Sequence, residues 1–211
     1  MIKDIVVNLS TREDGGGVGD YAVSVADTLG AHIAGIAFVF DPIVPISGTG
    51  YIPAEVIETQ LVDNQAAAKA AIDRFAATTA RVGVSAEPIT LSASASGAGD
   101  QFARIARRFD LAIVPQAEPQ ANEVEVLIAE STLFQSGRPM IVVPYIQKTP
   151  LKLDRVMVCW DGGRQAARAI ADAMPLLEKV AKLDGRVGDI GKQIDSLQTQ
   201  VGALKQRGAS K

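Results

Sequence analysis

Two stretches of this chain open with the same grammar. Residues 153–173, LDRVMVCWDGGRQAARAIADA, read as a buried strand, a glycine turn and a helix start. Residues 2–29, IKDIVVNLSTREDGGGVGDYAVSVADTL, have the same order, with an apolar-rich strand, a glycine-containing turn and a helix that begins on small residues. An α/β unit is therefore opened twice. The first opening continues through a whole domain, whereas the second stops after one helix and gives way to a heptad-patterned tail.

Along the first unit the alternation is complete. Residues 5–9 are apolar except for Asn8, the mark of a strand covered on both faces. Ala22, Val25, Ala26 and Leu29 recur at helical spacing up to Gly30. Residues 32–40, HIAGIAFVF, are a second strand, stopped by Asp41 and Pro42. Residues 42–53 hold three prolines and two glycines and exceed the usual connection length, which leaves a binding loop and a lid both open. Residues 54–81 are the longest helix of the domain, with Val56, Leu61, Ala68, Ile72 and Phe75 as the stripe that covers the sheet, and 82–91 a third strand. A small-residue loop, 92–100, feeds a helix at 101–109 and a short strand at 110–115. A helix at 123–135, a Gly137 cap and a strand at 139–144 close the domain. Five strands alternating with four helices make one parallel sheet with helices on both faces.

Composition removes several chemistries. The chain has 211 residues, 47% hydrophobic and 21% charged, enough for one well-buried domain of about 150 residues and an appendage. Its net charge of −3 gives no general pull toward nucleic acid, which is not expected as a partner. No apolar run approaches a signal-peptide core or a membrane span of roughly 18 residues, so the expectation is a cytoplasmic protein with no membrane contact. Cys159 is the single cysteine and reads as a small buried hydrophobe in mid-strand. The single histidine, His32, stands at the start of the second strand, where a surface or capping role outweighs catalysis; with one histidine, a Ser-His triad or a His-rich metal site would have little to build on.

The order of these elements, with RFDLAIVP at 108–115 and AESTLFQSGRPMIVVP at 129–144, resembles the universal stress protein domain. Residues 156–179 resemble the start of that family's second copy in tandem members, cut short early in that copy. The resemblance covers residues 2–179 and implies a sheet of order 3-2-1-4-5, with ligands, where bound, at the carboxyl ends of strands one and four. It also implies, for members that bind ATP, an Asp at the end of strand one and a Gly-x2-Gly-x9-Gly-Ser/Thr stretch after strand four, because glycine lets backbone amides approach a polyphosphate. This chain departs from both: strand one ends Asn8-Leu9-Ser10, and residues 115–127 lack glycine and carry Glu118, Glu123 and Glu125 where phosphates would lie.

The second opening supplies Asp161, Gly162 and Gly163, a better match to the strand-one Asp, which reads either as half a nucleotide site or as a tight turn. The glycines at 15–17 and the SGTG at 47–50 lack the Lys-Ser/Thr ending of a P-loop. From Leu176 onward, Val180, Leu183, Val187, Ile190, Ile194, Leu197, Val201 and Leu204 alternate spacings of three and four. With the β-branched set at a and the leucines mostly at d, this pattern predicts a parallel two-stranded coiled coil, the other reading being a lone amphipathic helix.

The expectation is thus an α/β domain over 1–146, the strand, turn and helix of an incomplete second unit over 147–175, and a coiled-coil tail over 176–207. The function expected with it is that of a non-enzymatic stress-response protein, a homodimer acting through protein contacts, with a degenerate nucleotide site and no resident cofactor. Two other readings stay open: a regulator or weak ATPase that binds ATP through Asp161 with groups from another subunit, and a scaffold whose working end is the coil.

Overall fold

The structure is a computed structural model that describes residues 1–12, 17–42, 53–118 and 123–184, with no side chains described for 181–184. The 43–52 loop, the SGTG glycines and the heptad positions from Val187 onward lie outside the described residues. The chain divides into two compact units, Met1–Leu151 and Lys152–Lys211.

The first unit alternates strand and helix: β1 (Asp4–Asn8), α1 (Gly17–Leu29), β2 (His32–Phe40), α2 (Ala54–Val82), β3 (Ala86–Ala93), α3 (Ala98–Ala106), β4 (Leu111–Pro115), α4 (Glu123–Gln135) and β5 (Met140–Val143). The strands form one parallel sheet in the order β3-β2-β1-β4-β5, as the resemblance implies. β1 is central, with Ile5 opposite Ile33 on one side and Leu111 on the other. Its IVVN run is buried on both faces, which is why it carries no polar alternation.

Successive side chains point to opposite faces, so the strands divide their apolar residues between two cores. Ile5, Val7, Ile33, Ala37 and Ile113 pack with Ala22, Val25 and Ala26 of α1 and Ala68, Ala71 and Phe75 of α2. Val6, Ala34, Ile36, Phe38, Ala112 and Val114 pack with Phe102 of α3 and Ile128 of α4.

Three expectations inside this unit need correction. β3 starts at Ala86, not at residue 82, because α2 runs to Val82 and ends on Gly83, whose left-handed φ of 82° lets its N–H reach the Thr79 carbonyl at 2.8 Å. Pro88 is tolerated within β3 because β3 is an edge strand. α3 starts at Ala98, three residues before the expected 101, and gives way after Ala106 to tight turns in which Phe109 N–H bonds the Ala106 carbonyl. α2 covers the sheet only from Ala68 onward; Val56 and Leu61 are exposed. A 29-residue helix is ~43 Å long against ~30 Å for the nine-residue β2, so its first turns outrun the sheet.

In the second unit, residues 156–160 are not a strand. A strand is completed by hydrogen bonds to a neighbour, and the sheet among the described residues contains only the five strands above. Met157 is 86% exposed, Trp160 is exposed, and Cys159 is exposed rather than buried as expected. Helix α5 (Arg164–Asp184) follows and runs on past residue 176, with Leu177 and Val180 buried. No described helix is long and apolar enough to cross a membrane.

Candidate functional site

In a sheet of this order the winding of the parallel strands reverses between β1 and β4, and the crevice beyond their carboxyl ends is where such folds bind ligands. Here the crevice is shallow and is lined by Ser10, Arg12, Pro115, Glu118, Glu125 and Tyr145, among others. Ser10 continues the face of β1 that carries Val6 and Asn8, the face toward α4. Its hydroxyl donates to Glu125 Oε1 at 2.9 Å, and Arg12 Nη2 donates to Glu118 Oε2 at 3.1 Å. Two bridges therefore cross from the end of β1 to the segment after β4. Gly17, the first residue of α1, lies so close to the Gln147 carbonyl that a Cβ there would collide with it.

The electrostatics disfavour an anion. α4 starts at Glu123 with Glu123 and Glu125 in its first turn, so its own carboxylates answer the positive end of the helix dipole. The donors that would face a phosphate, Ser10 and Arg12, are directed to Glu125 and Glu118.

Beside the Ser10–Glu125 bridge lies a narrow recess with room for about one water molecule, lined by Asn8, Phe38, Phe40, Val124, Glu125 and Ile128, among others. Asn8 is 3% exposed, and among the described residues none donates a hydrogen bond to its Oδ1. The residues 8–10 were notable in the sequence only for lacking Asp. That Asn8 and Ser10 share one face of a strand was legible from the two-residue period; their surroundings required the fold.

The other site residues stand as follows. Asp161 is exposed and its Oδ1 accepts the Gly163 N–H at 2.7 Å, while Gly162 has φ 78°, a turn that leads into α5. Of the predicted association residues, Val180 is buried, Leu183 lies in α5 without a described side chain, and Val187, Ile190, Ile194, Leu197, Val201 and Leu204 lie outside the described residues. His32 is half-buried with Nδ1 2.9 Å from Ser85 Oγ, a tie between the starts of two strands. Among the described residues, no group of three His, Cys, Asp or Glu side chains is placed to hold a metal ion.

No protein-family profile matches the sequence, and no curated protein does. Solved structures do. A protein of the universal stress protein family from Burkholderia pseudomallei superposes with a TM-score of 0.50 at 19% identity, over 68% of this chain and 96% of that one. The universal stress protein UspA from Lactobacillus plantarum superposes with a TM-score of 0.52 at 15% identity, over 67% of this chain and 97% of that one. At such identities the likeness is one of architecture: the α/β unit of this chain has the universal stress protein fold.

Proposed function

We propose that this is a non-enzymatic stress-response protein of the universal stress type, a homodimer that acts through protein contacts and whose nucleotide crevice is degenerate. The observation that carries the reading is the pair of bridges, Ser10 to Glu125 and Arg12 to Glu118, which engage with acidic side chains the donors that would otherwise meet a phosphate. A polyphosphate would have to break both and then sit beside two carboxylates, and like charges at close range are unfavourable.

The protein-contact half of the reading has separate support. Val126, Leu127, Leu133 and Phe134 of α4 are exposed, as are Val142 of the edge strand β5 and Tyr145 and Ile146 after it. Exposed large apolar side chains in such number support an association site. The heptad from Val180 to Leu204 supplies a second means of pairing two copies.

Native mass spectrometry of the full chain as purified, followed by titration with ATP, tests both halves. The expected spectrum is a dimer without added mass, unchanged by millimolar ATP. A nucleotide-sized adduct overturns the degenerate-site reading and directs attention to Asp161; a monomer overturns the homodimer.

A further inference from the structure

We propose that the outer edge of β5 is a strand-addition site whose occupant is the apolar run 156–160 of a second copy of this chain. This deepens the homodimer reading and rests on it.

β5 ends the sheet, and its hydrogen bonds show which of its backbone groups face away from it. The Ala112 N–H reaches the Pro139 carbonyl at 3.1 Å and the Gln116 N–H reaches the Val143 carbonyl at 2.8 Å, so these two carbonyls face β4. In the even spacing of a parallel ladder, Met140 and Val142 then turn their N–H and C=O groups outward, where the described residues place no strand. Such an edge is a template for pairing with another chain. The opposite edge of the sheet is blunted, since β3 carries Glu87 and Pro88. β5 has no such guard: it is uncharged from Met140 to Val143, and Val142 is exposed.

The same sequence holds a complement to that edge. Residues 156–160, VMVCW, are β-branched and aromatic, yet they have no strand partner, and Val156, Met157, Cys159 and Trp160 are exposed. An uncharged run thus lies open in a chain whose sheet has an open, uncharged edge. Charge at the ends sets the direction. With Val158 opposite Val142 and the strands antiparallel, Asp161 falls at the Arg138 end of β5 and Arg155 falls opposite Tyr145, a favourable partner at each end. The parallel direction brings Arg155 to the Arg138 end instead. The antiparallel register also sets Val158 and Trp160 against Val142 and Met140, the two residues whose backbone groups face outward. Residues directly opposite share a face, so Trp160 extends the side on which Met140 packs with Ile128 of α4.

Cys159 is the single cysteine, so a nitroxide attached there marks this run alone. The test mixes unlabelled parent carrying that nitroxide with isotope-labelled Cys159→Ser chain, and signal broadening then reports contacts between copies only. The expected result is loss of the Ile141 and Val142 amide signals, with those of Thr90 and Leu91 in β3 kept. Val158→Pro in the nitroxide-carrying chain removes the N–H that would meet Val142, in a residue that belongs to neither core, and is expected to restore the signals. Without any label, Val142→Lys is expected to weaken the dimer about tenfold in native mass spectra across a dilution series, as a charge on a pairing edge does. A dimer whose dilution midpoint ignores Val142→Lys, or broadening that survives Val158→Pro or falls on β3, overturns the inference while the homodimer stands. A parent chain that is monomeric overturns both.

Discussion

Ser10 and Glu125 are 115 residues apart in sequence and joined by a 2.9 Å hydrogen bond, which ties the end of β1 to the first turn of α4. Ser10 follows β1 and Glu125 stands in α4, and Val6 of β1 and Ile128 of α4 pack in the same core, so the contact forms only once α4 docks on the sheet. Ser10→Ala is expected to cost about 1 kcal/mol of unfolding free energy, the net worth of one partly buried bond. Glu125→Ala in the same background is expected to cost less than it does alone, because the two share that bond. Urea unfolding of the single and double variants measures the coupling; strict additivity would mean that the bridge contributes nothing.

Gly35 permits the tightest packing of helix on sheet. It occupies the centre of β2 opposite Val7, and a Cβ there would lie 2.6 Å from the ring of Phe75, which is itself buried. Gly35→Ala is therefore expected to destabilise by roughly 1–3 kcal/mol, the range for an overpacked core. Adding Phe75→Leu is expected to restore part of the loss by making room. The check is the urea midpoint at constant m; a variant as stable as the parent would show that α2 moves away freely.

Periodicity made most of the sheet legible. β2 matches the expected residues 32–40 and α4 the expected 123–135, since apolar runs and helical stripes there are bounded by Asp41-Pro42 and Gly137. The strand misread at its start was β3, because Val82 and Val84 look β-prone on either side of Gly83 and only the left-handed turn shows that the glycine closes a helix. Residues 156–160 misled for a related reason: VMVCW has strand composition, but a strand is a property of a pair, and local pattern says nothing of a missing neighbour. At the crevice, the acidic residues were visible in the sequence as charge, yet their pairing with Ser10 and Arg12 depends on contacts more than 100 residues apart.

Asp110 gives the fold a pH-sensitive tie. Its Oδ2 accepts the backbone N–H of Lys3 at 2.8 Å and of Asp4 at 3.2 Å, joining the start of β1 to the start of β4. The Lys3 N–H is the main reason its carboxyl lies below the ordinary range; burial opposes it, and the Asp4 N–H and the charges of Arg138 and the N-terminus add to the lowering. A carboxyl whose folded pKa is depressed stabilises the fold above its unfolded value, roughly 3.9, and loses that contribution as pH falls through the lower, folded value. Asp110→Asn is thus expected to be less stable than the parent at neutral pH, with the gap closing below about pH 4. Thermal unfolding across that range would show it, and a gap independent of pH would assign the loss to shape rather than charge.

The outer face of α4 is apolar where a solvent-facing helix is normally charged. Ile128 and Thr132 point into the fold, yet Leu133 is exposed and Phe134 is 80% exposed. Large apolar side chains left exposed on a helix mark a surface that a partner covers, so the face is expected to meet a second copy. Replacing Leu133 and Phe134 together by Glu adds two charges to that face while leaving Ile128 and the core behind it untouched. The expected outcome is a shift to lower mass in native spectra, with the unfolding temperature of the separated subunit at least equal to that of the parent at high dilution. An unchanged mass would move the association from α4 to the heptad, where Val180 and Leu183 lie in α5, and Leu183→Asp would then be the variant that separates the copies.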